Sequence, residues 1–180
     1  MINLGKLYLE TGRLADARSV LARAVNRNRR STLAIHSLGM AAYRSGDYET
    51  AEGLFRRAKE LDPTNVTYRV DLGTALQFRG ELGEAEEVLR EALEMEPGNL
   101  RARMNLGAVC FKREDYETAA AAFRVVVAQD SSRSDAHLNL GLTYKAMGEA
   151  TQARTHLKRA LELSPDDSEA DQIRNLLNEM

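Results

Sequence analysis

One cysteine, no tryptophan and three prolines are all that 180 residues contain of those types. A lone Cys110 forms no intramolecular disulfide, so no cross-linked framework is expected and a reducing compartment is the simpler assumption. No apolar run approaches the roughly 20 residues needed to span a bilayer, which argues against membrane insertion. The opening stretch "MINLGKLYLETG" has neither the basic start, nor the apolar run, nor the small-residue cleavage site of a secretory leader. The cytoplasm, or another soluble compartment whose signal has been removed, is the expected location. Charge of one sign is also missing: 25 basic residues stand against 27 acidic ones, a net charge of −2, where a nucleic-acid-binding domain favours a strongly basic balance. Arginine far outnumbers lysine and alanine is abundant, a weak hint of a GC-rich bacterial genome.

What the chain does have is repetition. Leu-Gly pairs stand at Leu4-Gly5, Leu38-Gly39, Leu72-Gly73, Leu106-Gly107 and Leu140-Gly141, 34 residues apart at each step. An alanine keeps the same register at Ala17, Ala51, Ala85, Ala119 and Ala153, and a bulky apolar residue follows four positions later as Leu21, Phe55, Leu89, Phe123 and Leu157. Pro63, Pro97 and Pro165 close three of the units. Periods of about 20–50 residues mark solenoids and arrays.

Each unit reads as two helices. "TLAIHSLGMAAYRS" (32–45) carries apolar residues at helical spacing until "GDY" interrupts it, and "ETAEGLFRRAKEL" (49–61) is a second amphipathic run stopped by "DP". The glycine and alanine slots let two backbones approach closely, where a larger side chain would overpack the contact. The expectation is an all-α solenoid of antiparallel helix pairs forming one domain over 1–180. Its units are 1–31 (truncated), 32–65, 66–99, 100–133 and 134–167.

In these slots the sequence resembles the tetratricopeptide repeat family, with Ile35, Leu38, Gly39, Gly46, Ala51, Phe55, Ala58 and Pro63 matching the pattern in the second unit. The resemblance covers essentially the whole chain and implies a right-handed superhelical solenoid. The fourth unit departs most: Glu114 replaces the turn glycine, Val126 the second small alanine and Ser131 the proline, so its second helix is expected to pack or end differently. The first unit begins three residues inside its first helix, as in a fragment cut from a longer array or a natural ragged start. At the other end 168–180 reads as a capping helix, with Ala170, Ile173, Leu176, Leu177 and Met180 on one stripe and Asp171, Arg174 and Asn178 opposite. Ser168 is its expected N-cap, with Asp171 as capping-box partner.

The resemblance further implies that first helices line a concave groove, into which the sixth slot of each unit faces. That slot holds Asn3, Ser37, Asp71, Asn105 and Asn139. A carboxamide offers donor and acceptor together, so Asn105 and Asn139 are candidates for gripping the backbone of a bound segment; the plain alternative is a solvated polar slot. At about 0.5–1.5 kcal/mol per hydrogen bond, two asparagines fall short of the roughly 8 kcal/mol of micromolar affinity. Other groove slots must supply the rest. His36, Met40, Tyr43, Phe78, Met104 and Phe111 offer apolar and adaptable surface, with Val70, Gln77, Leu138 and Leu142 beside them, about half of this set being expected to pack between repeats. Arg44, Arg101, Lys112 and Lys145 are basic, against Asp71 and Asp135, and Asp71 with Arg101 is an expected mutually neutralising pair. A partner segment both acidic and apolar is the resulting expectation. The carboxylate clamp by which chaperone cofactors of this family hold acidic tails is not matched. From the second unit its slots hold His36, Met40, Asp71, Arg101 and Asn105, and only Arg101 fits. From the third they hold Val70, Thr74, Asn105, Asp135 and Asn139, and only Asn105 fits.

Chemistry is hard to find. His36, His137 and His156 occupy three different slots and are expected to point apart, so no metal site is expected. Cys110 stands where other units have Tyr8, Ala42, Leu76 and Tyr144, and reads as a buried small hydrophobe. Gly12, Gly46, Gly80 and Gly148 are turn residues rather than a phosphate loop. "NRNRR" (26–30) ends a helix, where cations suit the dipole, with phosphate or acidic-partner contact as the alternative. No catalytic residue and no cofactor is assigned. The reading is a non-enzymatic protein-interaction module. Its rival is a self-assembling scaffold using its ends or convex face, and an adaptor serving an enzyme in the same polypeptide stays open.

Overall fold

Five times in this chain a glycine of one helix lies where a bulky side chain sixteen positions later comes to rest. In the computed structural model, a Cβ added at Gly5 would sit 2.4 Å from Leu21, at Gly39 2.6 Å from Phe55, at Gly73 2.6 Å from Leu89, at Gly107 2.5 Å from Phe123 and at Gly141 2.8 Å from Leu157. None of these fits without movement, so each glycine sets how closely the helices of its repeat approach. The five bulky partners are all at most 1% exposed.

The structure describes residues 1–165 and 169–180, and in them eleven helices and no strand. These are α1 (Ile2–Glu10), α2 (Leu14–Arg27), α3 (Thr32–Arg44), α4 (Tyr48–Leu61), α5 (Val66–Arg79), α6 (Leu82–Met95), α7 (Leu100–Lys112), α8 (Tyr116–Gln129), α9 (Ser134–Ala146), α10 (Ala150–Leu163) and α11 (Ala170–Asn178). They fall into two compact bodies, Met1–Pro97 and Gly98–Met180. Within each body every helix packs on the one before and the one after it in sequence, as expected where each amphipathic hairpin buries its apolar stripe on its neighbour. In the N-terminal body α2 lays Ala24 and Val25 against Ala34 and Ile35 of α3, with Ala58 and Tyr68 completing the cluster.

Helix starts are written in short polar side chains. Ser31 accepts from the Ala34 N–H, Asp47 from Thr50, Asn65 from Thr67, Asn99 from Ala102 and Asp115 from Thr118. Each such cap contributes about 1 kcal/mol. The hydrogen bonds from Thr50, with help from Arg18, hold the Asp47 carboxyl below the usual carboxylate range.

The fourth repeat corrects an expectation. Glu114 takes the left-handed turn at φ +64°, beside +79° at Gly46 and +86° at Gly80, so the backbone makes the same turn without glycine. α8 is 14 residues long, as α4 is. Asp130 accepts from both the N–H and the hydroxyl of Ser132, at 3.1 and 2.6 Å, the side-chain turn that Asp62 makes with Thr64 beside Pro63, so the helix end does not depend on the proline. Val126 is fully buried, so the larger residue is absorbed without shortening the helix.

At the C-terminal end α11 packs Ala170 and Ile173 inward, and Ile173 joins Leu157 and Ala160 of α10 with Leu176, Leu177 and Met180 alongside. Asp171, Arg174 and Asn178 are exposed, the polar outer face expected of a cap. Ser168, the expected N-cap, lies outside the described residues, and Asp171 pairs with Arg174 at 2.6 Å.

Two substitutions in one repeat separate crowding from helix propensity. Gly39→Ala gains about 1 kcal/mol of propensity, yet must displace the buried Phe55 ring and should lose about 1–3 kcal/mol overall. Gly53→Ala in α4, where an added Cβ meets nothing within 4 Å, should gain about 0.5–1 kcal/mol. Urea unfolding followed by circular dichroism reads both, and equal signs would refute the crowding account. By the same measurement Glu114→Gly should stabilise by about 1 kcal/mol, through relief of the left-handed strain.

Candidate partner-binding faces

On α3 the residues at 36, 40 and 43 form one stripe, and on α5 those at 71, 74 and 78 form another. Packing of successive repeats sets the two stripes side by side in the N-terminal body. His36 Nε2 lies 2.6 Å from Asp71 Oδ2 and ties the two first helices together. Its ring is held between Phe55 and Tyr68, with centroids at 5.6 and 5.0 Å. Asp71 therefore has a partner in its own body, on α3, which the sequence reading did not foresee. Further along, Met40, Tyr43, Phe55, Asp71 and Thr74 line a small depression of about 30 Å³.

An aromatic trio stands beyond it. Tyr43 meets Phe78 edge-on at 5.6 Å and Tyr48 at 5.5 Å, while Tyr48 and Phe78 stack at 4.9 Å with 23° between planes. Phe78 remains 48% exposed. A large apolar ring left half in water yet fixed by two tyrosines is preorganised contact area, and aromatic residues are enriched where protein interfaces concentrate their binding energy. Tyr48 opens α4, a second helix, and so stands outside the first-helix slots that the register assigns to the face. The duplicated "DYETA" at 47–51 and 115–119 is the signal that could have found it, for Tyr116 holds Phe111 in the same way at 5.4 Å.

The other expected site residues divide into exposed and committed groups. Arg44 donates to the Leu9 carbonyl at 2.5 Å and so closes the C-terminal end of α1, where a cation suits the helix dipole. Val70 is fully buried and Gln77 nearly so. In the C-terminal body Met104 is 9% exposed and packs in the core. Phe111, Asn105 and Leu142 are half-buried, and Arg101 and Lys112 exposed. Asn139 is half-buried and donates from Nδ2 to its own helix at the Asp135 carbonyl, 2.9 Å away, which leaves its Oδ1 for other contacts. Lys145 lies 3.6 Å from Glu179, and Leu138 packs against the α10–α11 cluster. Cys110 is buried.

The histidines correct a further expectation. His137 and His156 do not point apart: their Nδ1 atoms are 3.0 Å apart, with ring centroids at 5.2 Å. That centroid distance is close to the N···N distance plus two ring radii, so the two lone-pair directions meet nearly head-on. A proton fits between them; a metal bound by both would need the rings turned. The described residues hold no group of three or more His, Cys, Asp or Glu disposed to take a metal ion. Nε2 of His137 is buried without a hydrogen-bond partner. At that separation one of the two Nδ1 atoms carries the proton and the other accepts it. Burial pushes both imidazoles below the usual histidine range; for His137 a polar contact with the Ser131 backbone works against this and Arg159 adds to it, and for His156 protonated His137 adds to it. Tyr144 stacks on His156 at 5.7 Å.

The comparisons with known proteins agree with this architecture. A model of the cytochrome c-type biogenesis protein H TPR domain matches residues 36–134, and two tetratricopeptide repeat models match 2–66 and 111–177. No curated protein matches the chain. Among solved structures it is similar to YrrB, described as a TPR protein with an unusual peptide-binding site, at 24% identity over 97% of this chain and 90% of that one, with a TM-score of 0.76. It is also similar to MamA from Desulfovibrio magneticus RS-1, at 22% identity over 92% and 94% with a TM-score of 0.82. TTC0263, a thermophilic TPR protein in Thermus thermophilus, matches at 20% identity over 99% and 95% with a TM-score of 0.77.

The paired histidines make stability depend on pH in a defined direction. Their folded-state values lie below the unfolded value of about 6.5, so the unfolded chain takes up protons first as pH falls. The stability of the C-terminal body should be full above pH about 7 and decline as pH falls through the unfolded value. His156→Gln, which keeps a polar partner for His137 but cannot titrate, should flatten the slope of unfolding free energy between pH about 7 and 5. An unchanged slope would refute the coupling.

Proposed function

Because this chain belongs to the tetratricopeptide repeat family, whose members are generally protein–protein interaction modules, we propose that it holds a segment of a partner protein on its first-helix faces. In the N-terminal body the segment lies along α3 and α5, with Met40 and Thr74 beneath it and Tyr43, Tyr48 and Phe78 as its apolar anchor. The observation that carries the reading is Phe78, a half-exposed ring immobilised by two aromatic neighbours. His36 acts there as a positioning residue, fixing α3 to α5 through Asp71, and Arg44 steadies the same body through its bond to α1. On the face of the C-terminal body, Asn105 and Asn139 contact partner backbone, Phe111 supplies apolar contact, and Arg101 and Lys112 favour acidic side chains. Met104 and Lys145 serve this face from behind, through the packing and the end contact described above. The preferred segment is apolar with acidic flanks. The family's members generally act without catalysis, and this chain is assigned the same way.

A paired capture from source lysate, read by mass spectrometry, tests the proposal. One bait is this chain and the other carries Tyr43→Ala and Phe78→Ala, with its fold checked by circular dichroism. A protein retained by the first and lost by the second is then titrated calorimetrically. Removing the anchor should weaken its binding about tenfold or more, the effect of losing an aromatic hot spot worth about 2 kcal/mol. Equal retention by both baits would sink the assignment of this face.

A further inference from the structure

The small depression between α3 and α5 lies under the partner segment, and its walls say what can enter it. Met40, Tyr43, Phe55, Asp71 and Thr74 line it, and it measures about 30 Å³. About 10–15 Å³ of such space holds one water, so there is room for a side chain of one or two heavy atoms.

Most of the walls do not yield. The Phe55 ring is 1% exposed and wedged against Gly39, where an added Cβ would lie 2.6 Å away. The His36 ring, held between Phe55 and Tyr68, fixes Asp71 through their 2.6 Å contact. Tyr43 is set by its ring contacts with Tyr48 and Phe78. Close packing of this kind resists expansion, so the depression acts as a size filter. Met40, unbranched and half-buried, is the softer wall.

Its polarity is equally one-sided. The Thr74 hydroxyl donates to the Val70 carbonyl at 2.7 Å, and a carboxylate such as Asp71 only accepts. Both therefore meet an incoming group as acceptors. A serine hydroxyl can donate to them, and an alanine methyl can rest on Met40 and Phe55. A phosphoserine brings a tetrahedral group with roughly −1.5 to −2 of charge. It is too large for the space, and the oxygens it meets there have no proton to share.

Thr74 and Phe78 are one turn apart on α5, about 6 Å along its axis. We propose that the depression seats a serine or alanine of the bound segment, next to the apolar residue that lies on Phe78, and excludes larger side chains and phosphoserine. The inference rests on the aromatic-face reading above and adds the chemistry of the segment: a bulky apolar side chain with a small, unphosphorylated one beside it. Met40 and Thr74 then set which side chain is accepted.

Peptides displayed from a random library and selected on the intact chain test this. Those that also bind Phe78→Ala are set aside. The remainder should align on a bulky apolar residue with serine or alanine at a fixed separation, about two positions away in an extended segment or three to four in a helical one. The best of them is then titrated by fluorescence anisotropy. Serine and alanine at that position should bind within about threefold of each other, and leucine or phosphoserine at least about tenfold more weakly. Met40→Ala, which widens the seat, should admit valine or leucine, and Thr74→Ile, which fills it, should favour glycine. Circular dichroism checks the fold of each variant. Phe78-dependent peptides that carry large residues at that position, that tolerate phosphoserine, or whose preference neither variant shifts would overturn the inference and leave the aromatic face standing. A library that yields no Phe78-dependent binder would overturn both.

Discussion

The distance between the two helices of a repeat is set by a glycine on one and a bulky apolar residue on the other, and every neighbouring contact inherits that spacing. With Gly39 against Phe55 and Gly73 against Leu89, α3 and α5 each sit tight on their own second helix. Their outer stripes therefore come close enough for His36 to reach Asp71 and for Tyr43 to meet Phe78. Widening either hairpin by a methyl group would move these stripes as well as the core. The face offered to a partner is thus a by-product of the packing rule.

Much of this was legible because the packing slots repeat. The hairpins, their turns and the inward stripe of α11 all follow from a 34-residue register applied to apolar and small residues. The fourth repeat was misjudged because three letters changed, while the backbone kept its course: a glutamate takes the left-handed region, and the side-chain turn at Asp130 is one that Asp62 also makes beside Pro63. The paired histidines were missed for a different reason. They lie nineteen positions apart, on opposite arms of one hairpin, in the slots that hold Ile35 and Leu54 in the second repeat, both part of one apolar cluster. Linear metal-ligand spacing does not reveal such a pair, whereas superposing the repeats does. Which polar residues meet across neighbouring helices depends on side-chain reach, and so the register alone did not foretell that Asp71 would meet His36.

Charge adds a second layer to the N-terminal body. Arg18 with Asp47 and Arg56 with Glu84, each at 2.8 Å, join one second helix to the next repeat, and Arg79 with Glu52 links α5 back to α4. The exposed pair of Arg56 with Glu84 contributes only about 0–1 kcal/mol, while Glu52 is buried beneath Arg79. Their effect is on register: they resist sliding of one hairpin along the next, a motion that apolar contacts, being non-directional, oppose only weakly.

Dependence on sequence neighbours alone has an evolutionary reading. Within each body a hairpin touches only the repeats before and after it, and α11 lies on α10 with polar residues outward. A duplication of 34 residues ahead of α11 would find its docking surface already made and would pass the same surface on to α11. Length can then change by whole repeats without redesign of the core, so recombination between near-identical repeats becomes a route to new reach. The Leu-Gly register that makes the fold recognisable is also what lets it be lengthened.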